Sequence, residues 1–257
     1  MQNTPHLVDT HCHIHESSYP LSVEEVLARA GAKGVTRLVC VGTTEQSSRE
    51  AVEFAATHKS VFATVGVHPH DTKDGYADIA RLAGEKNVVA VGEIGLDYYY
   101  THSPREAQIL ALEVQLQIAQ DRGLPVSFHV RDAFEDFWPI LGNFQGIRGV
   151  LHSFTDTIET LGIALNRGMY IGVNGISTFT KDDRQKAMFM AIPLDRLLLE
   201  TDAPFLTPVP FRGKVNEPGM VSEVALHYAN MRGVSYAQLA HRTTANAETL
   251  FRFSTAG

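Results

Sequence analysis

The sequence contains only two cysteines, Cys12 and Cys40, among its 257 residues. Two thiols do not form a disulfide framework, and their neighbours lack the spacing of a cysteine metal site. We therefore expect both thiols to be reduced, as is usual in the cytosol. No stretch is apolar over the roughly 20 residues that a membrane-spanning helix needs. The N-terminus also lacks the basic and apolar regions of a secretory signal. These absences predict a cytoplasmic protein with no membrane partner.

Positive charge is also scarce, since the formal net charge is −7. This balance argues against a broad basic surface of the kind that binds nucleic acid through its phosphates. A nucleic-acid partner would therefore need a local positive site, such as a bound metal ion. A glycine-rich phosphate loop is missing after the first apolar run, where His-Cys-His stands instead. That absence argues against a dinucleotide-binding fold.

What the sequence does contain is a regular alternation of short apolar runs and longer amphipathic stretches. The amphipathic stretches predict helices at 23–32, 47–58, 104–122, 180–191, 219–231 and 236–251. The apolar runs are nearly continuous, as in strands that are covered on both faces. They lie at 7–9, 37–41, 61–67, 88–93, 125–130, 149–152, 169–173 and 197–200.

Eight strands alternating with helices over this length predict a (β/α)8 TIM barrel that forms a single domain over 1–257. A doubly wound open sheet is the competing fold. In the barrel, chemistry takes place at the carboxyl ends of the strands. Polar residues able to bind metal follow six of the predicted strands. They are His11, His13, His68, Glu93, His129, His152 and Asp202.

The spacing of His11 and His13 is typical of two side chains that act together. Residues i and i+2 of a strand point to the same side, about 6.6 Å apart along the chain. Two imidazoles at this spacing can converge on one cation. Cys12 lies between them and is expected to face the other way, so we assign it no ligand role.

Two carboxylates follow strongly apolar runs. Glu93 comes after five apolar residues and before Ile-Gly, and Asp202 comes shortly after three leucines. A lone buried carboxylate is costly, whereas one that binds cations is satisfied. Glu93 can bridge two cations. For Asp202 the alternative is an N-cap of the following segment.

The motifs together resemble one known family. They are DTHCH at 9–13, GVHPH at 66–70, VGEIGLDYY at 91–99, HVRDA at 129–133, LHSFT at 151–155, IGVNG at 171–175, LLLETDAP at 197–204 and NEP at 216–218. In this combination and order they resemble the TatD family of metal-dependent deoxyribonucleases, which are amidohydrolase-like barrels. The resemblance covers about the whole chain.

The resemblance implies a ligand set and an activity. One metal would be held by His11, His13, Glu93 and Asp202, and a second by Glu93, His129 and His152. The implied activity is trimming of DNA, often from the 3′ end. The expected partner is single-stranded DNA or a frayed end, with RNA open as an alternative, and no obligate protein partner is evident.

Two divalent cations would clamp a phosphate and activate water for in-line attack. Asp202 is the candidate general base, and Glu93 is the second catalytic candidate because it would bridge the cations. Imidazole suits zinc, whereas carboxylates suit magnesium and manganese. We expect Mg²⁺ or Mn²⁺ to support activity, and Zn²⁺ is an allowed occupant.

Four further residues are candidates for substrate contact, and three of them have an open alternative. His68 either contacts a phosphate or a third metal, or caps its strand. Arg131 either binds a phosphate oxygen or pairs with Asp132 or Glu135. Tyr98 begins a run of three tyrosines that either stack on bases or pack against neighbouring loops. Arg212 is a substrate candidate in the loop after strand eight.

Two other functions remain as alternatives. One is a metallo-hydrolase of small esters, lactones or amides on the same barrel. Many such enzymes bridge their metals with a modified lysine after strand four, where this chain has Glu93. The other alternative is a non-catalytic binding scaffold, which the complete ligand set argues against.

Overall fold

The computed structural model describes residues 5–100 and 102–253. The chain forms two compact units. One consists of Met1–Val39 and Ser153–Thr249, and the other of Cys40–His152 and Leu250–Gly257. The expectation of a single domain over 1–257 stays a prediction.

All eight predicted strands are present and form one sheet in chain order. Neighbouring strands pair in parallel from the third strand to the sixth, and the seventh pairs in parallel with the eighth. Three strands are longer than predicted, because the first continues to Cys12, the second begins at Val35 and the fourth continues to Asp97. The bounds are Leu7–Cys12 (β1), Val35–Val41 (β2), Val61–Val65 (β3), Val88–Asp97 (β4), Val126–Arg131 (β5), Gly149–Leu151 (β6), Tyr170–Val173 (β7) and Leu197–Leu199 (β8).

The helices alternate with the strands. They are Val23–Ala32 (α1), Glu45–Thr57 (α2), Ile79–Leu82 (α3), Arg105–Arg122 (α4), Phe134–Gly142 (α5), Ile158–Asn166 (α6), Ile176–Phe179 (α7), Asp183–Ala191 (α8), Val221–Arg232 (α9) and Tyr236–Phe251 (α10). The predicted helix at 104–122 is α4, which begins after Pro104 and ends at Gly123 in the left-handed region, as glycine there allows. Within 5–100 and 102–253, the helices all fall short of the length and apolarity that crossing a membrane requires.

The last strand lies beside the first, which is what closes a (β/α)8 barrel. Thr10 donates its hydroxyl to the carbonyl of Leu199 at 3.0 Å, and Cys12 forms a parallel bridge with Ala203. The predicted (β/α)8 fold is therefore confirmed.

A network of buried hydrogen bonds holds β1 against the segment that follows β8. The carboxylate of Asp9, fully buried in β1, accepts hydrogen bonds from the backbone N–H of Thr201 at 2.9 Å and from its hydroxyl at 2.6 Å. The Thr201 hydroxyl also accepts from the N–H of Ala203 at 3.2 Å. Burial raises the pKa of Asp9 well above its ordinary value, which the hydrogen bonds from Thr201 and His11 only partly offset. Burying these polar groups costs little free energy only while each of them has a hydrogen-bond partner.

We expect Thr201→Val to lower the free energy of unfolding by about 1–3 kcal/mol, because it removes the hydroxyl that satisfies a buried carboxylate. Urea unfolding measures the change. Thr249→Val is the matched control, since that hydroxyl is exposed and bonds only within its own helix. Equal unfolding midpoints for the two variants would contradict the role of the network.

Candidate metal centre

The first cluster consists of His11, His13 and Asp202. The Nε2 atoms of His11 and His13 lie 3.9 and 3.4 Å from Oδ1 of Asp202. Both imidazoles are buried, and the carboxylate side chain is 15% exposed. Three of the four residues expected to hold one metal are thus close together in the structure, and their role as ligands stays a prediction.

Backbone hydrogen bonds explain why these residues meet. The N–H of Asp202 donates to the carbonyl of His11 at 2.9 Å, and the N–H of His13 donates to that of Ala203 at 2.8 Å. The end of β1 is thereby attached to the segment after β8. Asp202 has a φ of 60°, a conformation that aspartate tolerates better than most residues. Because its backbone N–H donates to the carbonyl of His11 in β1, Asp202 is held against that strand.

The second cluster surrounds Glu93, which is 4% exposed. Its Oε1 atom lies 3.0 Å from Nδ1 of His129, 3.6 Å from Nε2 of His68 and 3.9 Å from Nε2 of His152. These three imidazoles, one within β5 and the others just after β3 and β6, therefore converge on one carboxylate oxygen. The predicted ligands Glu93, His129 and His152 are brought together, and His68 joins them.

Irregular backbone in β4 positions Glu93. Register between β4 and β5 shifts between Val91 and Ile94, which is the signature of a bulge. A side chain at Gly92 would collide with Ser127, and one at Gly95 would collide with the carbonyl of His129. Both glycines have a φ near 155°, which favours glycine. The two glycines let β4 lie close to β5 on either side of Glu93.

The donor atoms of both clusters are spaced as cation ligands are. Two atoms that bind one ion at about 2.1 Å in tetrahedral geometry lie about 3.4 Å apart. The distances in the two clusters run from 3.0 to 3.9 Å. The ligand atoms of His68, Glu93 and His129 all lie within 4.8 Å of one another. A mixed set of imidazole nitrogens and carboxylate oxygens therefore fits a divalent cation.

Asp97 holds the other side of the His129 ring. Its Oδ2 atom lies 2.9 Å from Nε2 of His129 and 3.0 Å from Nε2 of His70. Burial acts to lower the pKa of His129, but the hydrogen bonds to Asp97 and Glu93 raise it above its ordinary value. Burial acts to raise the pKa of Asp97, but the hydrogen bonds from His129 and from the N–H of Tyr100 hold it well below the ordinary value of an aspartate. Such a carboxylate partner orients a metal-binding imidazole and fixes which nitrogen faces the ion.

His68 is in a different electrostatic environment. Burial, followed by the nearby His129, holds the pKa of His68 well below its ordinary value. The neutral ring offers a lone pair to a cation or a hydrogen bond to a phosphate. Whether His68 contacts a phosphate or a third metal, or instead caps its strand, stays a prediction.

Two glutamines of α4 position these strand ends, and the sequence reasoning missed both. Gln115 accepts from the N–H of Val67 at 2.7 Å and donates to its carbonyl at 3.2 Å. Gln108 accepts from the N–H of Asp97 at 2.8 Å and donates to its carbonyl at 3.1 Å. Both are buried within the apolar stripe of α4. A polar residue recurring at a seven-residue interval in that stripe was the available signal.

The remaining predicted contacts take part in local interactions. Arg131 lies over the ring of Tyr99, with its Cζ 3.9 Å from the ring centre. The Tyr98 hydroxyl donates to Asp136 at 2.7 Å. Arg212 lies 3.8 Å over the ring of Phe179 and donates to the carbonyl of Thr207 at 2.8 Å. Substrate contact by these residues stays a prediction.

A (β/α)8 fold whose strand ends carry converging imidazoles and carboxylates defines a metal-dependent hydrolase. The chain belongs to the TatD family, because the family model described as TatD related DNase matches residues 8–252.

Individual relatives support this assignment. The chain is 41% identical over 252 residues to the uncharacterized metal-dependent hydrolase YcfH of Escherichia coli K12, covering 95% of each chain. It is 38% identical over 261 residues to the 3′-5′ ssDNA/RNA exonuclease TatD of Citrobacter rodentium, covering 95% of this chain and 97% of that protein. Among solved structures, the TatD homologue YJJV of E. coli K12 superposes with a TM-score of 0.89 at 27% identity, covering 96% of this chain and 98% of that one.

We expect Asp97→Asn to raise the Kd for Mn²⁺ by about 10- to 100-fold, because the amide no longer provides the anionic acceptor that orients His129. Isothermal titration calorimetry measures this directly. Asp121→Asn is the control, since that exposed carboxylate only accepts a hydrogen bond from Gln117 on the surface of α4. An unchanged Kd in Asp97→Asn would show that Asp97 does not support the ligand.

We also expect the affinity for Mn²⁺ to increase with pH, because the cation must displace the proton whose binding to His129 is strengthened in this structure. An imidazole with an ordinary pKa of about 6.5 gives an increase of about fourfold between pH 6 and 8, and we expect more than that. The increase should be smaller in Asp97→Asn, whose His129 has a lower pKa. Affinity that does not change with pH would count against a protonated His129.

Proposed function

We propose that the protein is a divalent-metal-dependent deoxyribonuclease that shortens single-stranded DNA from its 3′ end. The observation that carries the proposal is the convergence of three imidazoles on Oε1 of the buried Glu93. The similarity to the C. rodentium protein named as a 3′-5′ ssDNA/RNA exonuclease supports the choice of substrate.

The proposed ligands are those of the sequence prediction. His11, His13, Glu93 and Asp202 would hold one cation, and Glu93, His129 and His152 would hold the other. Mg²⁺ or Mn²⁺ supports activity, and Zn²⁺ is an allowed occupant. When bound, the cations neutralise the phosphate charge and lower the pKa of the attacking water.

The protein groups perform the remaining steps. Asp202 accepts the proton of the attacking water at a carboxylate oxygen, since its side chain is partly exposed and its backbone is fixed by β1. Glu93 would stay ionised and would help to hold both cations. His68 donates a hydrogen bond to a phosphate oxygen of the scissile bond.

The same features argue against the alternatives. A hydrolase of small esters or amides that uses a modified lysine needs a lysine after β4, and the sequence has none between Lys86 and Lys181. A binding scaffold has no use for a carboxylate buried among three imidazoles, since that arrangement is costly without a cation.

The test uses a 3′-recessed and a single-stranded oligonucleotide labelled at the 5′ end, incubated with Mg²⁺, Mn²⁺ or Zn²⁺. We expect a ladder of fragments shortened from the 3′ end with at least one cation, and no shortening with chelator. Asp202→Ala should lower the rate by about 100- to 10,000-fold, the usual contribution of a general base.

Asp195→Ala is the matched control, because Asp195 is exposed and lies in the turn before β8. Its rate should equal that of the wild type. Oligonucleotide that stays intact with every cation would refute the proposed nuclease activity. Turnover of lactones or amides by the same preparation would support the alternative hydrolase.

A further inference from the structure

Two exposed aromatic rings follow β4. Tyr99 is 57% and Tyr100 42% exposed, and their ring centres lie 4.8 Å apart in an edge-to-face arrangement. Their backbone is nevertheless held firmly, because the N–H groups of both residues donate to Oδ1 of Asp97 at 3.0 Å. The rings therefore stand on a fixed turn and still leave much of their surface uncovered.

Arg131 supports these rings from the neighbouring strand. Its guanidinium carbon lies 3.9 Å from the ring centre of Tyr99 and 5.0 Å from that of Tyr100. Asp97 and Arg131 are paired across β4 and β5, so the strand register brings the cation to the rings. The side chain is exposed and therefore available to an anionic ligand as well.

A series of ring contacts leads from Tyr100 to His129, a predicted ligand of the metal centre. Tyr100 stacks on His102 with the ring planes 23° apart and contacts His70 edge-on at 5.4 Å. The His70 ring lies 6.1 Å from that of His129. Oδ2 of Asp97 binds His70 and His129, and its Oδ1 binds the backbone of Tyr99 and Tyr100. The carboxylate of Asp97 thus lies between His129, a predicted metal ligand, and the backbone that carries the exposed rings of Tyr99 and Tyr100.

From this arrangement we infer that Tyr99, Tyr100 and Arg131 form a stacking platform for a nucleobase of the bound single strand. A base stacks on the exposed face of Tyr99, and Arg131 attracts the phosphate attached to that nucleotide. Aromatic stacking suits a nuclease without sequence preference, because every base has a flat face. A platform of this kind also compensates for the net negative charge of the chain, because stacking needs no basic surface.

The inference rests on the proposed nuclease function, and the experiment separates the two. Steady-state kinetics are measured on a single-stranded oligonucleotide and on one of equal length with abasic residues at its 3′ end. We expect Tyr99→Leu to raise the KM for the normal strand by about 5- to 150-fold, the contribution of one stacked base, with kcat nearly unchanged. Tyr99→Phe keeps the ring and should restore the KM. On the abasic strand, wild type and Tyr99→Leu should have the same KM.

A role of Tyr99 limited to folding would lower kcat on both strands and shift the urea midpoint, which would overturn the platform. Equal KM values for wild type and Tyr99→Leu on the normal strand would also overturn it, while leaving the nuclease standing. If no strand is cleaved under any cation, the nuclease fails. Fluorescence anisotropy with a labelled single strand in chelator then decides the platform, which requires weaker binding by Tyr99→Leu than by Tyr99→Phe.

Discussion

The structure depends most on how the buried carboxylate of Glu93 is satisfied. A carboxylate that is 4% exposed loses most of its hydration, and ionised groups in that position must be paired. Three imidazoles within 3.0 to 3.9 Å of one of its oxygens supply that compensation only in part. Burial holds the pKa of His68 well below its ordinary value and keeps that ring neutral, whereas the raised pKa of His129 lets its imidazole offset part of the negative charge. The arrangement is balanced when cations neutralise the carboxylate.

The polypeptide around Glu93 is organised to keep this geometry. Gly92 and Gly95 permit the close approach of β4 and β5. The buried glutamines of α4 attach their side chains to the backbone of Val67 and Asp97. These groups bind no ligand themselves. They fix the strand ends that carry the ligands, which is how outer residues tune a metal site.

Asp97 connects two features that would otherwise be independent. One of its oxygens accepts from His129 and His70, and the other accepts from the backbone of Tyr99 and Tyr100. The orientation of a metal ligand and the position of exposed aromatic rings are thus set by one side chain. Through these hydrogen bonds Asp97 anchors the loop that follows β4. Arg131 lies over the ring of Tyr99, a contact that the sequence reasoning did not anticipate.

Sequence patterns alone predicted the eight strands, their alternation with helices and the residue type at each strand end. Apolar runs and helical periodicity are local properties, and they identified the fold and the positions of His11, Glu93 and Asp202. Three features became evident only in the folded chain. The strand β4 continues through a bulge to Asp97, Gln108 and Gln115 hold strand backbones, and Arg131 lies over Tyr99. These features join residues that are distant in the chain. Distances and hydrogen bonds between such residues follow from packing, which no local pattern encodes.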